Sequence, residues 1–468
     1  MALETEEISI QQQFEEVIAS EDKLLIKEFL NDQNISDVAD LIYENEDFDS
    51  QIISHLSLHR AASVFKILEL STQKRIVKNL PPFNTAELLN ELPPDDRTAF
   101  LSLLPSNAVR ELVKTLNPEE RRITLGLLGY PEGSVGRLMT PDYIYVYEHD
   151  TVEDVLNTIR KYAKNSETID VIYVINDKGE LLDDIRIKDF IMASADKRVD
   201  ELMDGRVITL HAEDDQEVAN EAFKMNNRVA LPVVSRSNKL LGIVTIDDVL
   251  WVANEEFSED MQKMGGTEAL DEPYLDTPFI KLMKKRAGWL IVLFFGELLT
   301  ATALAYFNDE ISRATVLVMF MPLIASSGGN SGSQASTLII QAMAVGEVSL
   351  ADWWRVMRRE IFSGLTLGGI LGLIGFIRIC LWHMLMSHGI LQDLYGIHWL
   401  LVATSVGVSL VGVVLWGTIT GSMLPLILKR LGADPAVSSA PFVATLVDVT
   451  GLIIYFSVAY LFLKGILL

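Results

Sequence analysis

The sequence predicts a multidomain membrane protein: an N-terminal all-α superhelical solenoid, a tandem α/β region and an α-helical transmembrane domain of five spans. Three observations predict it. Leucine recurs at a spacing of twelve from Leu56 to Leu116; the next stretch switches to β-branched runs alternating with amphipathic helices and repeats itself; and the C-terminal part is apolar, with one carboxylate, Asp448, deep in its final run.

Charge follows the same division. The net charge is -25, yet residues 281–468 hold 12 Lys+Arg and 9 Asp+Glu, leaving 27 basic and 55 acidic side chains to residues 1–280. So acidic a region argues against nucleic-acid binding, and two uses of the acid stay open: a solvated surface, or bound cations. The single cysteine, Cys380, excludes an intramolecular disulfide and fits a reducing compartment. Residues 1–18 are polar and acidic without an apolar core, so no cleavable signal is expected.

In the N-terminal region, expected as a domain over residues 1–130, the repeating leucines are followed by breakers and helix starters: Leu80-Pro-Pro, Leu92-Pro-Pro-Asp-Asp-Arg, Leu104-Pro-Ser and Leu116-Asn-Pro-Glu-Glu-Arg. Proline in a first helical turn with acids behind it suits the missing N–H and the positive helix end. Each unit reads as one short helix. Paired units make hairpins and stacked hairpins a solenoid, with an ordinary helical bundle as the alternative. No catalytic constellation occurs here. Asp95, Asp96, Glu119 and Glu120 stand at helix starts, where acids serve more often as caps than as metal ligands.

From Gly136 to about Glu256 the β-branched runs 144–146, 171–175, 207–210, 231–234 and 241–245 alternate with helical stretches such as 152–162 and 216–225. Leu138-Met139 matches Leu202-Met203, Thr151-Val-Glu153 matches Asp215-Gln-Glu217, and the run from Val174 to Leu182 matches that from Val233 to Leu241. Two copies of one β-α-β-β-α unit, at 136–199 and 200–256, resemble paired cystathionine-β-synthase-type (CBS) domains. The resemblance implies pseudosymmetric packing and an adenine nucleotide, such as ATP, held between the halves. It is sharpest at Gly242-Ile-Val-Thr245-Ile-Asp-Asp248, where Thr245 would meet phosphate and Asp248 the ribose hydroxyls. The first copy departs from the pattern, with Asp183 and Arg186 at the Gly and Thr positions. The alternative is structural: Thr245 as a strand residue and Asp248 as a helix cap.

Residues 257–280 read as an acidic connecting helix, broken at Gly265-Gly266, that joins soluble and membrane parts. Glu255, Glu256, Glu259 and Asp260 would repel the acidic surfaces around them unless cations screened them, which makes this connector a candidate switch.

The membrane domain, 281–468, divides into apolar stretches at 287–307, 315–345, 361–387, 400–428 and 436–463. Basic clusters at Lys281/Lys284/Lys285/Arg286, Arg355/Arg358/Arg359 and Lys429/Arg430 alternate with loops nearly free of Lys and Arg, which predicts a cytoplasmic N-terminus and an extracytoplasmic C-terminus. Arg378 is expected to snorkel, and His383, His388 and His398 lack metal-ligand spacing. The second stretch carries Ser326-Ser-Gly-Gly-Asn330-Ser-Gly-Ser-Gln334, expected as an irregular break buried in protein or lining a watery cavity. Gly364/Gly368/Gly372 and Gly417/Gly421 read as close-packing positions. Glu297 has two open readings, a structural hydrogen bond or a pathway charge. Asp448 is a few kcal/mol too costly to face lipid and is the first candidate to meet cations, with Pro441 expected to kink its helix below it.

The domain order, the Gly-Gly-Asn motif and the final Pro441-Phe-Val-Ala-Thr-Leu-Val-Asp448-Val-Thr-Gly451 resemble the MgtE-type magnesium channels over essentially the whole chain. That resemblance implies a homodimer in the cell membrane with a pore on its two-fold axis, Asp448 contributed by both chains, regulatory Mg²⁺ binding between soluble domains to close the pore, and a nucleotide tuning that response. Asp95, Asp96, Glu255, Glu256, Glu259 and Asp260 are then the candidate regulatory ligands, and Asp448, Ala444, Asn330 and Glu297 the candidate pore residues. Ala440, where relatives are expected to carry a polar residue, is a departure. Mg²⁺ keeps most of its waters, so two Asp448 carboxylates with carbonyls such as that of Ala444 suit it better than a tight cage. A secondary transporter of Mg²⁺ or another divalent cation, and a membrane-anchored nucleotide sensor, are the rival readings; no hydrolytic constellation supports an enzyme. Selection among Mg²⁺, Mn²⁺, Co²⁺ and Ni²⁺ is not written in these motifs.

Overall fold

The computed structural model describes residues 9–275, 277–392 and 394–465. The chain divides between Glu256 and Phe257 into two compact units.

The first unit opens with short helices running from Ile10–Ala19 to Pro118–Leu128. The leucine repeat marks their ends. Leu56, Leu68, Leu80, Leu92 and Leu116 are C-cap residues in extended conformation with buried side chains, so each both stops a helix and pins the turn to the core. Leu104 falls one residue past the C-cap Leu103 and is only partly buried. Pro82, Pro94 and Pro118 then open the following helices, where the lost N–H is an orphan anyway. Packing is chiefly onto next-but-one neighbours, as in Ile35–Glu44 on Leu58–Ile67, Leu58–Ile67 on Pro82–Glu91 and Pro94–Ser102 on Pro118–Leu128. Arg97, wholly buried, fastens the last of these pairs: Nε donates to Thr124 Oγ1 at 2.8 Å, Nη1 to the carbonyls of Leu89 and Leu92 at 3.2 Å, and Nη2 to Glu120.

Two three-stranded sheets of identical topology follow. In the first, β1 (Tyr145–Tyr147) lies parallel to β2 (Val171–Ile175), which pairs antiparallel with β3 (Leu181–Arg186); in the second, β4 (Leu210–His211), β5 (Ala230–Val234) and β6 (Leu240–Thr245) repeat the arrangement. Even the irregularities match, at Val174/Ile175 and Val233/Val234. β3 is absent from the β-branched runs because two aspartates interrupt it. It forms because their carboxylates are provided for: Asp183 accepts the backbone N–H groups of Asp204 (2.7 Å) and Gly205 (3.0 Å), and Asp184 pairs with Arg228 at 2.8 Å. Conversely, of the expected run 207–210 only Leu210 is strand. Val171, Tyr173, Leu181, Ala230, Val234 and Ile243 form one shared core that joins the two copies.

The second unit contains five long helices, Phe279–Tyr306, Met321–Ala344, Trp353–Ser387, Trp399–Arg430 and Ala440–Leu463. By length and composition, four segments among the described residues can cross a membrane: Phe279–Tyr306, Leu350–Ser387, Trp399–Arg430 and Ala440–Leu463. Met321–Ala344 is not among them, because its serines, glycines, Asn330 and Gln334 dilute its hydropathy. Trp399–Arg430 is the most buried and packs against Met321–Ala344, Trp353–Ser387 and Ala440–Leu463.

Two expectations are corrected here. The Gly/Ser stretch is not an irregular break; the helix runs through it unbroken. Its glycines instead let backbones touch: a Cβ on Gly328 would overlap Val413, one on Gly421 would overlap the Gly332 carbonyl, and one on Gly332 would come 2.9 Å from Val443. Glycine costs helix propensity of about 1 kcal/mol, which close packing offsets. Nor does Pro441 kink the last helix below Asp448. It occupies the first turn, after the N-cap Ser439, where proline is tolerated. The glycine pairs on the neighbouring helices do pack as expected, with Gly368 and Gly372 set against Val411 and Gly407 and Gly417 against Gly328.

Candidate functional site

Asp448 sits nine residues into the last helix, half-buried, with no hydrogen-bond or ion-pair partner among the described residues. The neighbouring surface is made of small residues. A Cβ added to Gly329 would lie 3.5 Å from both the Asp448 carboxylate and Ala444 Cβ, so the glycine keeps that side of the carboxylate clear. Gly296 packs against Thr445, which brings the first long helix alongside, with Glu297 the next residue along it. Asn330, one residue beyond Gly329, is exposed and its amide donates to Ser326 Oγ at 3.3 Å. Asp448, Ala444 and Glu297 therefore share one locality, with Asn330 at its margin.

The start of the last helix is held by hydroxyls that the motif reading did not assign. Ser336 Oγ donates to the Ser438 carbonyl at 2.8 Å, Ser333 Oγ to the Ala440 carbonyl at 3.0 Å, and Trp289 Nε1 to Ser439 Oγ at 3.1 Å. The polar residues of the Gly/Ser helix thus fix where the Asp448 helix begins.

In the first unit, the structure brings Asp95 and Asp96 together with the predicted nucleotide pair. Asp95 is 5 % exposed, and its Oδ1 has no hydrogen-bond partner among the described residues. Burial first, then Asp248, Asp96 and Glu167, push its carboxyl well above the usual range. Burial likewise raises Asp96 and Glu167, and takes Asp248 up to about 7 and Asp142 up to about 6. Thr245 Oγ1 donates to Asp248 Oδ2 at 2.7 Å, so each already satisfies the other. Lys66 Nζ lies 3.5 Å from Asp96 and 4.0 Å from Asp247. Motif reading missed Lys66, Asp142, Glu167 and Asp247. Only Asp247 carried a signal, as the neighbour of Asp248 in the Thr-x-x-Asp motif.

The connector carboxylates are not drawn into one group. The helix Ile246–Met264 carries all four; Glu256 accepts from Gln216 at 2.7 Å, while Glu259 pairs with Lys263 at 2.5 Å, and Lys263 also reaches Asp434 at 2.7 Å. Among the described residues, no three carboxylate, imidazole or thiolate side chains stand together as ready metal ligands. Arg378 does not stand alone either: it donates to Tyr395 at 3.2 Å and lies over the Trp382 ring.

Comparison with known families gives this arrangement a class. A divalent cation transporter model matches residues 321–458, an MgtE intracellular N domain model matches 14–133, and CBS domain models match 135–196 and 199–255. With four membrane-spanning candidates, fold and models define a multi-pass membrane protein of the divalent cation transporter class. The magnesium transporter MgtE of Thermus thermophilus is 38% identical over 357 residues, 76% of each chain; that of Bacillus subtilis is 28% identical over 89% of each. The chain belongs to the MgtE family of magnesium transporters, and it is not an enzyme. Among solved structures, the cytosolic domain of the Mg²⁺ channel MgtE in complex with ATP is similar at 32% identity and a TM-score of 0.50, covering 52% of this chain and 99% of that one. The soluble part of a magnesium transporter is similar at 25% identity, also with a TM-score of 0.50, covering 53% of this chain and 99% of that one.

Proposed function

We propose that the chain is one half of a homodimeric, Mg²⁺-selective channel for magnesium uptake, closed by intracellular Mg²⁺. The observation that carries this reading is Asp448: a carboxylate nine residues into an apolar helix, half-buried, without a partner among the described residues and kept clear by Gly329. A charge so placed faces a polar path or a partner, and a second copy across a two-fold axis supplies its twin. Two carboxylates, with the Ala444 carbonyl and Asn330 nearby, form a wide polar ring suited to an ion that retains its waters. The pore assembly comprises five crossings, Met321–Ala344 being the fifth, shielded from lipid by its neighbours and the second chain. The N-terminus is cytoplasmic and the C-terminus extracytoplasmic.

Regulation is assigned to the remaining regions: the solenoid (1–130), the CBS pair (136–199 and 200–256) and the connector (257–280). The acids Asp95, Asp96, Glu167, Asp247 and Asp248 repel when bare and are drawn together by Mg²⁺, which favours the compact state that closes the pore. Glu255, Glu256, Glu259 and Asp260 carry the same response along the connector. ATP, present with the 32%-identical cytosolic domain, binds in the CBS pair and tunes closure, with Thr245 and Asp248 as the candidate phosphate and ribose contacts once their mutual hydrogen bond opens.

Reconstituted vesicles test the pore assignment: Asp448→Ala reduces Mg²⁺ entry to the background of empty vesicles, and wild-type-like flux in that variant refutes it. Removing residues 1–260 leaves the channel open at high internal Mg²⁺; closure that persists without them refutes the gating scheme.

A further inference from the structure

Lys66 occupies the last turn of the helix Leu58–Ile67, and its ammonium lies between Asp96 of the helix Pro94–Ser102 and Asp247 of the helix Ile246–Met264. Asp95 and Glu167 also act on it electrostatically. The side chain is 30% exposed, so it is neither a core staple like Arg97 nor a solvated surface lysine. The region holds an unfilled acceptor as well, the buried Oδ1 of Asp95, which has no hydrogen-bond partner among the described residues. One ammonium is therefore within ion-pair reach of Asp96 and Asp247, while Asp95 and Glu167 act on it at longer range, and Asp248 in turn acts electrostatically on Asp95. It screens part of their repulsion and leaves the rest.

We infer that Lys66 is a built-in competitor of the divalent cation: it holds the Asp95–Asp96–Asp247 cluster together when Mg²⁺ is scarce and sets the Mg²⁺ concentration at which the cation replaces it. The inference rests on the proposed reading of this cluster as a regulatory Mg²⁺ site. Its physical basis is simple. A fixed positive charge lowers the affinity of nearby carboxylates for any cation, and it does so most where burial keeps water from screening it. Its long, flexible stem lets the ammonium swing toward solvent when a divalent ion arrives, a movement a buried guanidinium held by four bonds could not make.

The full-length protein in detergent, titrated with MgCl₂ and digested briefly with chymotrypsin, reads closure as protection from cleavage. Lys66→Met is expected to lower the Mg²⁺ midpoint roughly tenfold, the scale of a monovalent–divalent repulsion over about 6 Å at a water-like dielectric. Lys66→Gln, which stays polar, gives the same shift should the methionine variant aggregate, and Lys66→Arg, which keeps the charge, leaves the midpoint within about twofold of wild type. Asp95→Asn is the control for the underlying site and raises the midpoint. If Asp95→Asn raises it while both neutral Lys66 variants leave it unchanged or raise it, Lys66 is a plain structural ion pair and the inference fails, with the Mg²⁺ site intact. If Asp95→Asn and Asp248→Asn both leave it unchanged, the site itself is wrong and the inference falls with it.

Discussion

In the first unit Asp95, Asp96, Glu167 and Asp248 act on one another electrostatically, with Lys66 paired to Asp96 and Asp247, whereas in the second Asp448 stands half-buried with no hydrogen-bond partner among the described residues. The two sites solve opposite problems. Neighbouring carboxylates of which several are buried favour a proton or a cation among them, and here the chain places the Lys66 ammonium beside two of them. A sparse site has nothing to displace. It offers charge and space, which suits an ion that passes with its waters attached and must leave again. The contrast fits one region built to respond to cation concentration and another built to let the cation through.

The harshest way to break the contrast is at its sparse end. Asp448→Asn preserves shape and hydrogen-bonding capacity and removes only the charge. If the charge attracts the ion, Mg²⁺ flux falls to background. If the residue serves only to pack or hydrogen-bond, the amide conducts normally, and the opposition between the two sites disappears.

The next largest effect separates two cations within the first unit. Arg97 is buried and makes bonds to Glu120, Thr124 and two carbonyls, so Arg97→Met strands several polar groups and should cost about 3 kcal/mol in the unfolding of that unit by denaturant. Lys66→Met should cost under about 1 kcal/mol in the same measurement, as a partly exposed pair does, while moving the Mg²⁺ midpoint. Equal stability losses in the two variants would make Lys66 another staple.

Protons offer a third probe. Asp95, Asp96, Glu167, Asp248 and Asp142 all have carboxyls raised by burial in the compact unit. Groups raised on folding favour the folded form when protonated. Their stabilisation is therefore complete below the ordinary carboxylate range near pH 4 and is lost as pH rises, through about 6 for Asp142 and about 7 for Asp248. With EDTA present, thermal unfolding of the first unit should occur at a higher temperature at pH 5.5 than at pH 8, and saturating Mg²⁺ should flatten the difference. A pH-independent transition in EDTA would show that the acids are not buried together.

How much of this was readable without coordinates differs sharply between the two sites. Asp448 announces itself, because an apolar run long enough to span a bilayer makes one carboxylate conspicuous. The leucine repeat was equally legible, since a C-cap leucine followed by proline ends one helix and starts the next within a few residues. The acidic cluster was not. Lys66, Asp96, Glu167 and Asp247 come from four separate segments, and nothing local says that they converge. The motif reads Asp248 as a ribose contact, and only the structure shows its carboxylate bonded to Thr245 and acting electrostatically on Asp95. The Gly/Ser stretch was misread for a related reason: the residues that break helices in water pack them closely when the facing helix also carries glycine, as Gly417 and Gly421 do.

The smallest effect concerns how that helix positions the Asp448 helix. Ser336 and Ser331 lie on the same helix, both buried, yet only Ser336 has a partner, the Ser438 carbonyl at 2.8 Å; Ser331 Oγ has none among the described residues. Removing a hydroxyl that satisfies a buried carbonyl costs about 1 kcal/mol, and somewhat less between membrane helices, while removing one that bonds nothing costs close to zero. Ser336→Ala should therefore lower the unfolding temperature in detergent measurably and reduce flux modestly by loosening the start of the last helix, and Ser331→Ala should change neither. If the two variants behave alike, the serines of this helix act through small size alone, and the position of Asp448 is fixed by glycine packing without help from hydrogen bonds.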